Sequence, residues 1–199
     1  MLCLALPLTG SASASTAGFN WTETATKITG TGGSQLFNTR IGGFECSEAS
    51  GEIAGVNTIT RPAATLTAKS ISYGGCHTAF SGAVVRMNGC AFAFHAGTIV
   101  EPLVKSEGTA DISCGKLPIE VEAPFCIVRI GSQSGLGPIS YTVQGKPKGI
   151  EVHALVTGIA YSYKGAGCGE GSGVDGTYTG TVVAKAYDSS GAQVGLWVE

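Results

Sequence analysis

Six cysteines constrain this chain more than any other feature. Cys46, Cys76, Cys90, Cys114, Cys126 and Cys168 are widely spaced, and no two form a C-x-x-C pair. Structural zinc sites and thiol redox sites are usually built on that close pair. An even set of scattered cysteines reads instead as three disulfides, formed in an oxidising compartment. Sequence alone leaves many pairings open. Closure of short loops favours Cys76–Cys90 and Cys114–Cys126, which leaves Cys46–Cys168.

Such a framework requires export, and the N-terminus carries a signal for it. Residues 1–15 read MLCLALPLTGSASAS, an apolar run from Leu2 to Leu8 followed by small residues. Ala12-Ser13-Ala14 fits the A-x-A cleavage pattern, so residues 1–14 are expected to be a signal peptide, although the positive n-region is missing. The seventh cysteine, Cys3, stands at the front of the apolar run and does not make a lipoprotein signal. No later segment reaches the ~18 apolar residues of a membrane helix, so the mature chain is expected to have no membrane span. The expected location is secreted or cell-envelope.

Charge narrows the partners. The chain has 12 basic and 14 acidic residues, and its densest basic spot is Lys146-Pro147-Lys148. A nucleic-acid binder shows a basic stripe, and a polybasic membrane anchor needs a cluster of cations. Neither is present in the sequence, so no nucleic-acid partner is expected. Charged residues make up 13% of the chain, against roughly 25% in ordinary globular domains. With 31 glycines, this composition suits short strands joined by turns rather than amphipathic helices.

The local pattern agrees. Ile119-Glu120-Val121-Glu122 alternates apolar and acidic, and Ile150, Val152, Ala154 and Val156 share one face opposite Glu151 and His153. Period-two alternation is the signature of a half-buried strand. Gly, Pro, Asn and Ser punctuate nearly every interval, as at Asn88-Gly89 and Gly145-Lys146-Pro147. The expected fold is all-β, an antiparallel two-sheet sandwich or its barrel-like variant, held by three disulfides. The expected division is a polar N-terminal arm over residues 15–34 and a single β domain over 35–199.

Candidate sites are few. Tyr163 to Gly180 reads YKGAGCGEGSGVDGTYTG, with alternating glycines from Gly165 to Gly173. It lacks the G-x-G-x-x-G order with a following helix and the Gly-Lys-Ser/Thr of a P-loop, so it is not a phosphate cradle. Glu170 and Asp175 are calcium candidates, but two carboxylates fall short of the six or more oxygens a hard cation takes. The better reading is a glycine loop pinned by Cys168, with Asp175-Gly176 opening the next strand. His77, His95 and His153 form no H-x-H or H-E-x-x-H motif, so no metal or cofactor is expected. No G-x-S-x-G elbow is present. A triad assembled in space from a serine, a histidine and Asp111 or Asp175 needs no motif. Tyr161, Tyr163 and Tyr178 are either a sugar-stacking surface or core. An inhibitory loop between cysteines would fall at Lys116 to Pro124.

The segments FEC, YGGC, VRMNGCAFAFHAG, ISCG, GIAYSYKGAGCG and DGTYTGT together resemble a group of uncharacterised exported proteins of high-GC Gram-positive bacteria. These share forms such as MNGCxYxF and GxGCGxGxxxxGxYxG. The resemblance spans about Phe44 to Ala186 and implies export and a disulfide-bonded β fold, and it implies no activity. The expected function is a secreted, non-catalytic extracellular or envelope module, structural or binding, with a glycan or cell-surface protein as its partner. The alternative is a secreted hydrolase.

Overall fold

The computed structural model describes residues 16–199. The expected signal peptide, residues 1–14, lies outside the described residues. A short strand, β1 (Phe19–Trp21), precedes two long ones, β2 (Ala25–Thr39) and β3 (Gly42–Ala54). A 3-10 turn at Val56–Thr58 leads to β4 (Thr65–Ala68), β5 (Ser70–His77), β6 (Val84–Arg86), β7 (Ala91–Glu101) and β8 (Lys105–Ser113). Then come β9 (Ile119–Ala123), β10 (Cys126–Ile130), β11 (Gln133–Gln144), β12 (Gly149–Gly165) and β13 (Gly169–Asp188). The chain closes on β14 (Gln193–Val194) and β15 (Leu196–Val198). Among the described residues no helix is long and apolar enough to cross a membrane.

The all-β antiparallel expectation holds, in its barrel-like form. One sheet runs β4-β7-β8-β11-β12-β13-β2-β3-β5 and curls, so that its two edge strands are joined only by Lys69. The edge of β12 is shared: β11 pairs with its first half and β10 with its last turn of chain. From β10 the ladder continues to β9 and β6. β6 meets β5 through a bridge between His77 and Gly82 and a bond from the Ala83 amide to the Cys76 carbonyl, 2.8 Å. Eight strands thereby form a ring: β12, β10, β9, β6, β5, β3, β2 and β13. Closing a sheet on itself hides edges that would otherwise invite pairing with other chains.

Strand alternation decides which side chains enter the ring. On β12, Ile150, Val152, Ala154 and Val156 point inward and Glu151 and His153 outward, as the sequence pattern requires. On β9, Ile119 and Val121 are buried, while Glu120 and Glu122 pair outside with Arg129 at 2.8 Å and Arg86 at 3.0 Å. Asn88-Gly89 is a turn with both residues at positive φ; it joins β6 to β7, which are not ladder partners.

Of the expected polar arm, residues 15–34, the described part, from residue 16, is built into the fold instead. β1 pairs with β15 as a small second sheet, and Phe19, Trp21, Leu196 and Val198 are buried together. The boundary drawn at residue 34 falls inside β2. Two large aromatic side chains outweigh the Thr/Ser composition around them, because burying each stabilises by about 2 kcal/mol or more. This β1–β15 pair, with Ala17 just before it, caps one end of the curled sheet, bonded to Gly97, Ala63 and Lys148. Phe37, Phe44 and Tyr161 pack together near the other, with Phe37 edge-on to Tyr161 at 6.3 Å.

Three disulfides are present, but none of the expected pairings is formed. The bonds are Cys46–Cys76, Cys90–Cys114 and Cys126–Cys168. Register sets each one. Cys46 lies directly opposite Cys76 across β3 and β5. Cys90 and Cys114 extend the Ala91–Ser113 pair of β7 and β8. Cys126 and Cys168 flank the paired ends of β10 and β12. Short-loop closure fails because Cys76 and Cys90 belong to strands separated by β6 and a corner turn.

Candidate functional site

The ring is not filled. A cavity of about 240 Å³ runs through it, lined almost wholly by apolar side chains from most strands. Tyr73, Val85, Met87, Phe92, Phe94, Val152, Tyr178 and Val182 all point into it and are only partly covered. In a close-packed core such side chains are covered on every side. Phe92 and Phe94 stack along one wall, 6.3 Å between centroids. Phe19 and Leu196 floor the cavity, and Phe37 and Phe44 close it at the far end.

One polar cluster interrupts this lining. Gln35 is 2% exposed, and its amide nitrogen donates to the carbonyls of Gly33 at 3.0 Å and Thr181 at 3.1 Å. Its Oε1 accepts the Tyr178 hydroxyl at 2.5 Å. The Tyr73 hydroxyl lies beside that of Tyr178, and burial raises the pKa of both phenols. Both rings line the cavity. The cluster requires a glycine next to it: a Cβ at Gly180 would collide with the Gln35 side chain. Glu52 is the only charged residue at the wall among those described, and its half-exposed carboxylate lies 4.0 Å from Lys27 rather than in the lumen.

The cavity adjoins a seam. Among the described residues, the second edge of β5 carries no ladder from Ser70 to Gly75, and only its Cys76–His77 end is bonded to the β6 side. Ile71 and Tyr73 of that strand face the lumen. Strands held by few hydrogen bonds open at the lowest cost.

The calcium candidates are not brought together. Tyr163 to Gly180 is a hairpin, not a loop: β13 starts at Gly169, before Asp175. Glu170 pairs with Lys164 at 3.3 Å; Asp175 accepts from Tyr161 at 2.9 Å and faces Arg40 at 3.8 Å. Each carboxylate already has a cation, and among the described residues no three His, Cys, Asp or Glu side chains form a metal cluster. Gly169 stands at positive φ in the hairpin turn, and Gly171 and Gly173 beyond it have a steric cause. A Cβ at Gly171 would sit 2.6 Å from the Tyr163 hydroxyl, and one at Gly173 2.6 Å from that of Tyr161. Tyrosine rings lie across the glycines of the facing strand. Tyr161 is buried and Tyr178 faces the lumen, so the three tyrosines do not make an outer sugar-stacking surface. Ile119–Ala123 is a strand, so Lys116 to Pro124 is not an inhibitory loop.

Of the triad considered from sequence, a histidine and Asp111 do meet, with Thr65 where a serine was expected. His95 Nδ1 is 2.9 Å from the Thr65 hydroxyl and its Nε2 is 3.0 Å from Asp111 Oδ2. The Gly135 amide donates to the other Asp111 oxygen at 2.8 Å; that bond first, then His95, holds the carboxyl below its ordinary range. Thr65 lies directly opposite His95 in the β4–β7 register. All three project from the outer face, while Leu66, Phe94, Ala110 and Ile112 beside them enter the lumen. Cross-strand pairing accounts for the contacts. The cue for it, register between distant strands, is not in the local sequence. No protein-family model, curated protein or solved structure matches the chain.

Proposed function

We propose that this chain is an exported, non-catalytic binding module that holds a small apolar ligand inside its barrel. One observation carries the reading: inward-pointing apolar side chains line a void of about 240 Å³ instead of filling it. An apolar cavity of roughly 150 Å³ already admits benzene-sized guests and stays free of water. Unfilled volume costs stability, about 24 cal/mol per Å³ in engineered cavities, so a void of this size is expensive unless something occupies it. Three disulfides and the apolar leader support a place outside the cytosol, secreted or in the envelope.

The hydrolase alternative draws on Thr65, His95 and Asp111. Those residues lie on the outer face, away from the cavity that would hold a substrate, and the binding reading is preferred for that reason.

The test is uptake of an apolar fluorophore. N-phenyl-1-naphthylamine added to the purified, oxidised protein should brighten and shift to the blue with saturable, roughly 1:1 stoichiometry. A signal no greater than that of a filled-core protein of similar size would refute the reading.

A further inference from the structure

We infer that the lumen selects a neutral ligand carrying a hydroxyl group, recognised by Tyr73 and Tyr178, over its carboxylate counterpart. The inference rests on the proposed lumen-binding function and specifies its ligand class. Gln35 is the anchor. Both protons of its amide nitrogen are taken by backbone carbonyls, so its orientation is fixed. Its Oε1 must then accept, and the Tyr178 hydroxyl must donate to it. A phenol has one proton and two lone pairs, so the Tyr178 oxygen is left as an acceptor only. Tyr73 lines the same cavity, and its hydroxyl proton is committed to no other side chain among the described residues, so it can be turned to a guest. The pair therefore offers a guest one acceptor and one exchangeable donor, which matches an alcohol or phenol.

An anion is excluded by charge. Among the described lining residues there is no Lys, Arg or His to balance an anion, and the one acidic residue at the wall, Glu52, turns its half-exposed carboxylate outward to Lys27, 4.0 Å away. Moving an ionised carboxylate into an apolar cavity without a cation is strongly unfavourable. A fully apolar guest would leave the tyrosine pair without a partner from the ligand, so it binds but gains nothing there.

A matched set of probes tests this: naphthalene, 1-naphthol and 1-naphthoate, titrated at neutral pH into the wild type, Tyr73→Phe and Tyr178→Phe. In the wild type 1-naphthol should bind at least tenfold tighter than 1-naphthoate. Tyr73→Phe should weaken 1-naphthol about fivefold, the worth of one net hydrogen bond, and leave naphthalene unchanged. Tyr178→Phe should act in the same direction. If naphthalene binds and 1-naphthoate matches 1-naphthol, or if the tyrosine variants alter both neutral probes equally, the hydroxyl selection is wrong while lumen binding stands. If the wild type takes up none of the three, lumen binding itself fails and this inference fails with it. Should a variant not fold, the ranking of the three probes on the wild type decides.

Discussion

At the scale of single residues, the glycines show how a pattern can be visible while its cause is not. The alternation from Gly165 to Gly173 is plain in the sequence, and it reads as a turn because turns are where glycine is commonest. The turn reading holds at Gly169, which has a positive φ, but at Gly171 and Gly173 the space is needed for Tyr163 and Tyr161, whose rings lie across them. Nothing local reveals that, because the tyrosines reach these glycines only through the β12–β13 register. Tyr161 is buried and its hydroxyl is held between Asp175 and the Arg40 amide, so it cannot move aside freely. Gly173→Ala should therefore lower stability by about 2 kcal/mol, the usual cost of overpacking. Gly33→Ala is the control: a Cβ there meets no atom within 4 Å, and the change should be neutral or raise stability slightly by restricting the unfolded chain. Urea melts of both variants, compared with wild type, check the contrast.

Elements are where the cysteines belong. Their number and spread were enough to read three disulfides, yet the pairing depends on which strands become neighbours. β4 separates β3 from β5 in the chain but leaves for the opposite edge of the sheet, so Cys76 arrives opposite Cys46. That bond sits where β5 is fastened to the β6 side by a single bridge. Removing it as Cys46→Ser with Cys76→Ser frees a loop of 30 residues, which by chain entropy costs about 3.6 kcal/mol. The loss should also be local. Amides of Ser70 to His77 should exchange with deuterium much faster, while those of β12 and β13 follow only the change in global stability. Uniform acceleration along all strands would show that the β5 seam is not the weak line of the barrel.

For the whole molecule, alternation tells which side chains face inward but not what they meet there. Ile150, Val152, Ala154 and Val156 have the same pattern whether two sheets pack face to face or one sheet encloses a void. The difference lies in closure, in β10 and β11 sharing one edge of β12 and in β1 and β15 capping the end. These are contacts between residues far apart in the chain. The lumen can be examined through two alanines on the same face of β13. Ala184 lines the cavity and is only partly covered; Ala186 is fully buried and lies outside it. A phenyl group at position 184 has room to extend into the void, adding apolar contact where there was none. At position 186 it must displace packed neighbours, at a cost of about 3 kcal/mol. Ala184→Phe should keep or raise the melting temperature and weaken uptake of N-phenyl-1-naphthylamine tenfold or more. Ala186→Phe should lower the melting temperature by several degrees and leave uptake by the folded fraction near that of wild type. If both substitutions destabilise to the same extent, position 184 is as tightly packed as position 186, and the barrel has no space to offer a ligand.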